Sequence, residues 1–172
     1  MDVIAAEPIR TGRLVLLPLR VSHASEMAAV LADPDLYAFT GGSPLVTRAL
    51  RSRYERLVAG SPDPAVSWCN WVIQVRERRC LAGTVQATIT GTATGRTAEV
   101  AWVVGLRWQG QGIATEAARA LVAWLGTQSV RTVIAHIHPR HRASAAVAAA
   151  AGLAPTSHRQ AGEIRWSLTM PP

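Results

Sequence analysis

Arg107-Trp108-Gln109-Gly110-Gln111-Gly112-Ile113-Ala114-Thr115-Glu116-Ala117 joins an apolar, strand-like run, Glu99-Val100-Ala101-Trp102-Val103-Val104, to a stretch rich in Ala and Leu that reads as a helix. Two glycines two residues apart just ahead of a helix let the backbone bend tightly and leave N–H groups free to converge on one point. The first turn of a helix has unsatisfied N–H donors and a partial positive charge, so its natural guest is an anion, a phosphate or pyrophosphate above all. Alone, Gly-x-Gly is equally an ordinary strand-to-helix turn. The neighbouring residues decide.

Two phosphate loops are excluded. The P-loop requires a lysine, and the chain contains none. The dinucleotide fingerprint requires a third glycine where Thr115 stands, and an acidic residue about 20 positions on, where none occurs. The run Gln109 to Ala114 reads instead as Gln/Arg-x-x-Gly-x-Gly/Ala. In this it resembles the pyrophosphate loop of the GNAT superfamily of acyl-CoA-dependent N-acetyltransferases. The resemblance continues in order along the chain. Ala98-Glu99-Val100-Ala101-Trp102-Val103-Val104 is similar to the family's fourth strand, and Pro139-Arg140-His141-Arg142-Ala143-Ser144 to the Pro-x-Asn-x-x-Ser after its fifth. Gly152-Leu153 stands where Gly-Phe is usual. Thr11-Gly12-Arg13-Leu14-Val15-Leu16 resembles the opening of the branch that acetylates ribosomal-protein N-termini, and Asn70-Trp71-Val72-Ile73 with Leu81-Ala82-Gly83-Thr84-Val85 its second and third strands. The likeness spans roughly residues 11 to 170.

Outward from the loop, the pattern predicts strands over 13–19, 68–75, 81–90, 97–104 and 132–138, with turns at 76–79 and 91–95. It predicts helices from Ser22 to before Asp33, from Thr47 to Gly60, over about 115–128 with apolar residues three to four apart, and over 143–151. Ser22 and Thr47 are read as helix caps. A final hairpin turns near 160–162, and residues 1–10 read as a loose tail on a single domain of 172 residues. The unit 97–104, 115–128, 132–138 should be a right-handed parallel crossover inside a largely antiparallel sheet. The resemblance implies an α/β (α+β) fold, a mixed sheet of six or seven strands with helices on both faces and two parallel strands splayed at their carboxyl ends.

Composition bounds the partners. A 49% apolar fraction with few charges describes a globular chain. Two cysteines, Cys69 and Cys80, are too few for a disulfide scaffold; they either face each other across a hairpin or are buried free thiols. No signal segment or membrane helix is evident, so the expected location is cytoplasmic, with no membrane partner. The net charge of +7 comes wholly from arginine, which suits an acidic partner such as coenzyme A or a nucleic acid. The arginines are dispersed and no aromatic-interleaved RNA motif accompanies them, which disfavours RNA. A homodimer stays open.

The resemblance implies acetyl transfer from acetyl-CoA to a primary amine, a peptide N-terminus or a small amine. It places Gln109, Gly110, Gln111, Gly112, Ile113, Ala114 and Thr115 at the pyrophosphate. Val103, Val104 and Gly105 would offer backbone groups to the pantetheine arm, as an added strand would. His141 stands in place of the family's Asn beside that arm, and Ala148 in place of its usual Tyr acid. An ammonium nucleophile must lose a proton, and Glu99 matches the position where the ribosomal-protein branch often carries a Glu base. The alternative is a solvated Glu or one paired to Arg. Ser144 matches a serine some relatives use as the leaving-group acid; it reads equally as a helix-start hydroxyl. His136 and His138 share a strand face, and with His141 they lack a recognised metal spacing. A non-catalytic acyl-CoA sensor and an RNA-associated protein are the rival functions.

Overall fold

In the computed structural model, which describes residues 2–172, eight strands form one sheet. In chain order they are β1 (Ile9–Arg10), β2 (Leu14–Pro18), β3 (Val66–Val75), β4 (Cys80–Thr92), β5 (Gly95–Val104), β6 (Val130–Ile137), β7 (Ala154–Gln160) and β8 (Glu163–Thr169). They lie in the order β1-β2-β3-β4-β5-β6-β8-β7, antiparallel throughout except for the β5–β6 pair. Four helices cover it: α1 (Ala24–Val30), α2 (Thr47–Ala59), α3 (Ile113–Thr127) and α4 (Arg142–Ala150). This is the mixed, largely antiparallel α/β architecture expected. The count exceeds six or seven because the short β1 adds an edge strand outside β2.

Alternation along β3 shows how the layers form. Trp71 and Ile73 point into the larger core with Ala117, Leu121 and Leu125 of α3, while Val72 joins a smaller core with Met27 of α1 and Leu50 and Tyr54 of α2. Successive strand residues face opposite sides, so one strand serves both cores. β3 and β4 are joined by the charged turn at 76–79, and β7 and β8 by the turn at 161–162, as predicted. Cys69 pairs with Ala87 and Cys80 with Val75, so the two thiols do not meet; both are free, and burial pushes the Cys69 thiol up to about 11.

Three local expectations need correction. The N-terminal segment is no loose tail over residues 2–10: Ile4 donates its N–H to Ser67 Oγ at 2.9 Å, Glu7 C=O accepts from Trp71 Nε1 at 2.7 Å, and β1 pairs with β2. Met1 lies outside the described residues. The carbonyls of Ile4 and Glu7 accept from Cys69 Sγ and Trp71 Nε1, and such backbone contacts are not revealed by sequence composition. Thr47 opens α2 rather than capping it; the cap is Val46, with no side-chain bond. Ser22 lies in a 3₁₀ turn before α1, where the His23 ring accepts the Arg20 N–H at 3.0 Å. No helix among the described residues is long and apolar enough to cross a membrane.

Candidate active site

The parallel pairing of β5 with β6 runs only from Arg96↔Val130 to Glu99↔Ile134. Beyond Glu99 the strands part, and a cavity of 620 Å³ opens between Val100–Val104 on one side and Ala135–Ile137 on the other. Its floor is the loop quoted at the start. Gly110 and Gly112 have φ of +72° and +76°, the left-handed region that glycine adopts without strain, and Gly112 is the residue that precedes α3. The helix's first α-type bond is Glu116 N–H to Gly112 C=O at 3.0 Å, so the amides of Ile113, Ala114 and Thr115 lie ahead of it at the positive end of the dipole.

The predicted residues divide. Val103 and Val104 line the cavity from β5; Gln109, Gly110 and Gly112 from the loop; Ile113, Ala114 and Thr115 from the helix start; His141 and Ser144 from α4. Gln109 also ties the loop to the strand, its Nε2 donating to Val104 C=O at 3.0 Å, so that carbonyl is already occupied. Gly105 belongs elsewhere. Its N–H bonds Ala82 C=O and its C=O accepts from Trp108, and a Cβ there would meet Val30 O at 2.8 Å. It is a close-packing glycine between β4 and α1. Gln111 turns to the outer side of the loop, its C=O accepting from Arg13 Nη1 at 2.8 Å. There it borders a second recess with Arg10, Arg13, Arg76 and Arg78.

Arg13 braces the loop from behind. Besides Gln111 C=O, its Nε meets Glu116 Oε1 at 2.9 Å, and Glu116 Oε2 accepts from Thr11 Oγ1 at 2.6 Å and from Arg13 N–H at 3.1 Å. Partial burial pulls the Glu116 carboxyl up, but the Thr11 hydroxyl and the Arg13 donors outweigh it and hold it below its usual range. The one acid in the first turn of α3 is thereby engaged away from the cavity.

On the opposite wall, His136, His138 and His141 all line the cavity. Phe39 leans over the last two, stacked on His141 at 4.5 Å between centroids and tilted on His138 at 5.1 Å. His141 is the cap of α4: its Nδ1 accepts the Ser144 N–H at 3.4 Å, and Ser144 Oγ lies 3.1 Å from its Nε2. Burial, and then the neighbouring His138, push the His141 pKa down, which favours the neutral ring. Ala148, at the position of the family's Tyr, is fully buried. Glu99 does not line the cavity; its Oε1 meets His136 Nδ1 at 2.6 Å at the point where the strands part. No group of three or more metal-ligating side chains occurs among the described residues. Trp102 half-lines the cavity wall, and Trp108 is buried with the Arg107 and Arg78 guanidinium groups 5.1 and 5.8 Å from its ring.

A family model for the acetyltransferase (GNAT) domain matches residues 13–154. The chain belongs to the GNAT acetyltransferases. No curated protein matches the sequence. Among solved structures, the ribosomal-protein-S5-alanine acetyltransferase of Vibrio fischeri is similar at 18% identity and a TM-score of 0.76, over 95% of this chain and 96% of that one. RimL, a ribosomal L7/L12 α-N-protein acetyltransferase in complex with coenzyme A, is similar at 16% identity and 0.78, over 95% and 98%. The microcin C7 self-immunity acetyltransferase MccE, in complex with acetyl-CoA and AMP, is similar at 16% identity and 0.76, over 93% and 94%. At these identities the likeness is one of fold.

Sequence reading of this GNAT chain misses Phe39, Arg13, Glu116 and Arg165, whose Nε donates to His136 Nε2 at 3.3 Å. Phe39 lies in an irregular segment with no periodicity to place it. Arg13 and Glu116 are 103 residues apart, and only the docking of β2 beside α3 joins them. The signal that was available is the alternation of His136 and His138, which puts both on the face that Glu99 also uses.

Proposed function

We propose that the protein transfers an acetyl group from acetyl-CoA to a primary amine, a peptide N-terminus or a small amine, by direct attack with Glu99 as general base. The observation that carries this reading is the fork between β5 and β6, closed at its base by a glycine loop and the amide end of α3. The residues fit a pyrophosphate: nothing lies within 4 Å of where a Cβ on Gly110 would be, and the one acid in the first turn is held off by Arg13. The CoA and acetyl-CoA in the RimL and MccE structures support the same ligand class here.

Acetyl-CoA, when bound, supplies the thioester carbon that the amine attacks. The amides of Ile113, Ala114 and Thr115 and the backbone at Gly110 and Gly112 hold the pyrophosphate. The edges of Val103 and of β6 flank the pantetheine arm, with His141 and Ser144 beside it. Glu99, at the point where the strands part, accepts the amine proton directly or through water, and the nitrogen lone pair forms the C–N bond as the C–S bond breaks with its electrons on sulfur. A thiolate leaves readily, so the buried Ala148 in place of a Tyr is tolerated, and the Ser144 hydroxyl beside the arm can return a proton.

The test is an amine panel with acetyl-CoA, read by free-thiol release and by mass gain on the acceptor. The chain has no lysine, so acetylation of its own side-chain amines does not confuse the mass readout. CoA should raise the melting temperature, because a ligand that binds only the folded state stabilises it, and NAD and ATP should do much less. Gly112→Asp should strongly weaken the CoA shift in a folded protein, since an L side chain is strained at that φ and its Cβ would meet Arg13 Nη2 at 3.2 Å, disturbing the brace behind the loop. Equal shifts from all three ligands would sink the assignment, and CoA binding without turnover on any amine would leave a sensor in its place.

A further inference from the structure

Glu99, His136 and Arg165 form a chain of contacts across β5, β6 and β8. We propose that His136 is a positioning residue for the Glu99 carboxylate, and that Arg165 fixes the tautomer in which it does so. This rests on the acetyl-transfer reading above.

The direction of each bond follows from its donors. An arginine Nε–H can only donate, so its 3.3 Å contact with His136 Nε2 requires a lone pair on that nitrogen. The neutral ring then carries its proton on Nδ1, which faces Glu99 Oε1 at 2.6 Å and donates to it. Among the described residues Glu99 Oε2 has no protein partner, so one oxygen is anchored and the other is available. Exposure divides the pair in the same way. The His136 side chain is 8% exposed and the Glu99 side chain 49%.

The fork explains why such an anchor is needed. Glu99 is the last residue of β5 paired to β6, opposite Ile134. Beyond it, β5 has no β6 neighbour to confine a long, half-exposed side chain. His136 lies two residues past Ile134 on the same face of β6, so its ring reaches across the opening gap. The imidazole also separates the Arg165 guanidinium from the carboxylate, which would otherwise close an ion pair between them. In the transfer step the amine proton goes to Oε2 directly or through water, the amine nitrogen bonds the acyl carbon, and the thiolate leaves with the C–S pair. No proton passes through the ring, which keeps its single proton on Nδ1 throughout.

The experiment uses the full chain with His136→Leu, His136→Asn and Arg165→Met. Asparagine can place an amide N–H near the Nδ1 position, whereas leucine cannot. Nitrogen-15 NMR of the free protein should show His136 protonated at Nδ1, with both tautomers populated in Arg165→Met and a changed Nδ1 signal in Glu99→Gln. With a strongly basic amine, His136→Leu should lower kcat roughly 10²-fold, the cost of a catalytic group misplaced by about 1 Å, at unchanged KM for acetyl-CoA. His136→Asn should recover most of that loss. With an amine that is already neutral at the assay pH, the loss should shrink towards none. The proposal is overturned by an Nε2-protonated ring, by Leu and Asn variants of equal kcat, or by the same loss with both amines. Absence of turnover on every amine would overturn the acetyl-transfer reading and the catalytic role with it, while the NMR result would still decide the contact between Glu99 and His136.

Discussion

Tyr54 of α2 is buried in the smaller core with its hydroxyl lacking a partner among the described residues. Burial pushes its pKa up to about 12 against the opposing pull of Arg53. An unpaired buried hydroxyl costs about 1–3 kcal/mol, so Tyr54→Phe should raise stability. For a chain of this size about 1 kcal/mol corresponds to roughly 2–4 °C in the melting midpoint, measurable by calorimetry. A lowered midpoint would show that the hydroxyl has a partner in solution. Residues that work alone or with near neighbours were open to sequence reading in this way. Gly110 and Gly112 announce their φ by their spacing, and the position of Glu99 on the strand before the loop is plain from the sequence. The partners of Glu99 were not, because His136 is 37 residues away and meets it only once the strands are laid side by side. At the start of α4 the cap is the ring of His141, and the Ser144 hydroxyl bonds that ring instead of a backbone amide.

The elements around the loop were legible in kind, less so at their ends. α3 begins at Ile113, two residues earlier than the Ala/Leu pattern indicates, because the left-handed Gly112 and not a polar cap starts it. A helix start without a side-chain cap needs support from outside, and the Thr11–Arg13 segment of the chain supplies it. Arg13→Gln should therefore weaken CoA binding several-fold while leaving the fold intact, as read by calorimetric titration; unchanged affinity would make the brace irrelevant to the loop. The same contact has a pH signature. Glu116 is held below its usual range, so its contribution to stability is fully present above the ordinary glutamate pKa of about 4.3 and is lost as pH falls through the lowered folded value. The stability difference between wild type and Arg13→Gln should shrink on acidification in that window. A difference constant down to strongly acidic pH would place the effect elsewhere.

At the scale of the whole molecule, the order of strands and helices could be read from the sequence because hydrophobic period and turn residues agree along 13–169. The N-terminal segment could not, because most of its contacts are made by backbone groups with partners more than 60 residues away. Glu7 alone serves two tryptophans, its C=O accepting from Trp71 and its carboxylate from Trp124 at 3.3 Å, where the two rings meet edge to face at 5.1 Å. Removing residues 2–8 orphans the Trp71 N–H and the buried Ser67 and exposes the edge of the larger core. The melting midpoint should fall by at least about 5 °C, given about 1–3 kcal/mol for each buried group left unpaired. An unshifted midpoint would mean that water replaces these bonds without cost.

The early end of the β5–β6 ladder has a mechanical consequence. Short ladders usually lie at the rim of a sheet, yet here one of only four paired positions runs through the middle. Five strands on one side and three on the other are joined by a short stretch of ladder and by α3. Whatever lies in the gap acts as a stitch between two plates. A ligand bound in the fork would bridge the two plates across this seam, with Glu99 and His136 where the ladder ends.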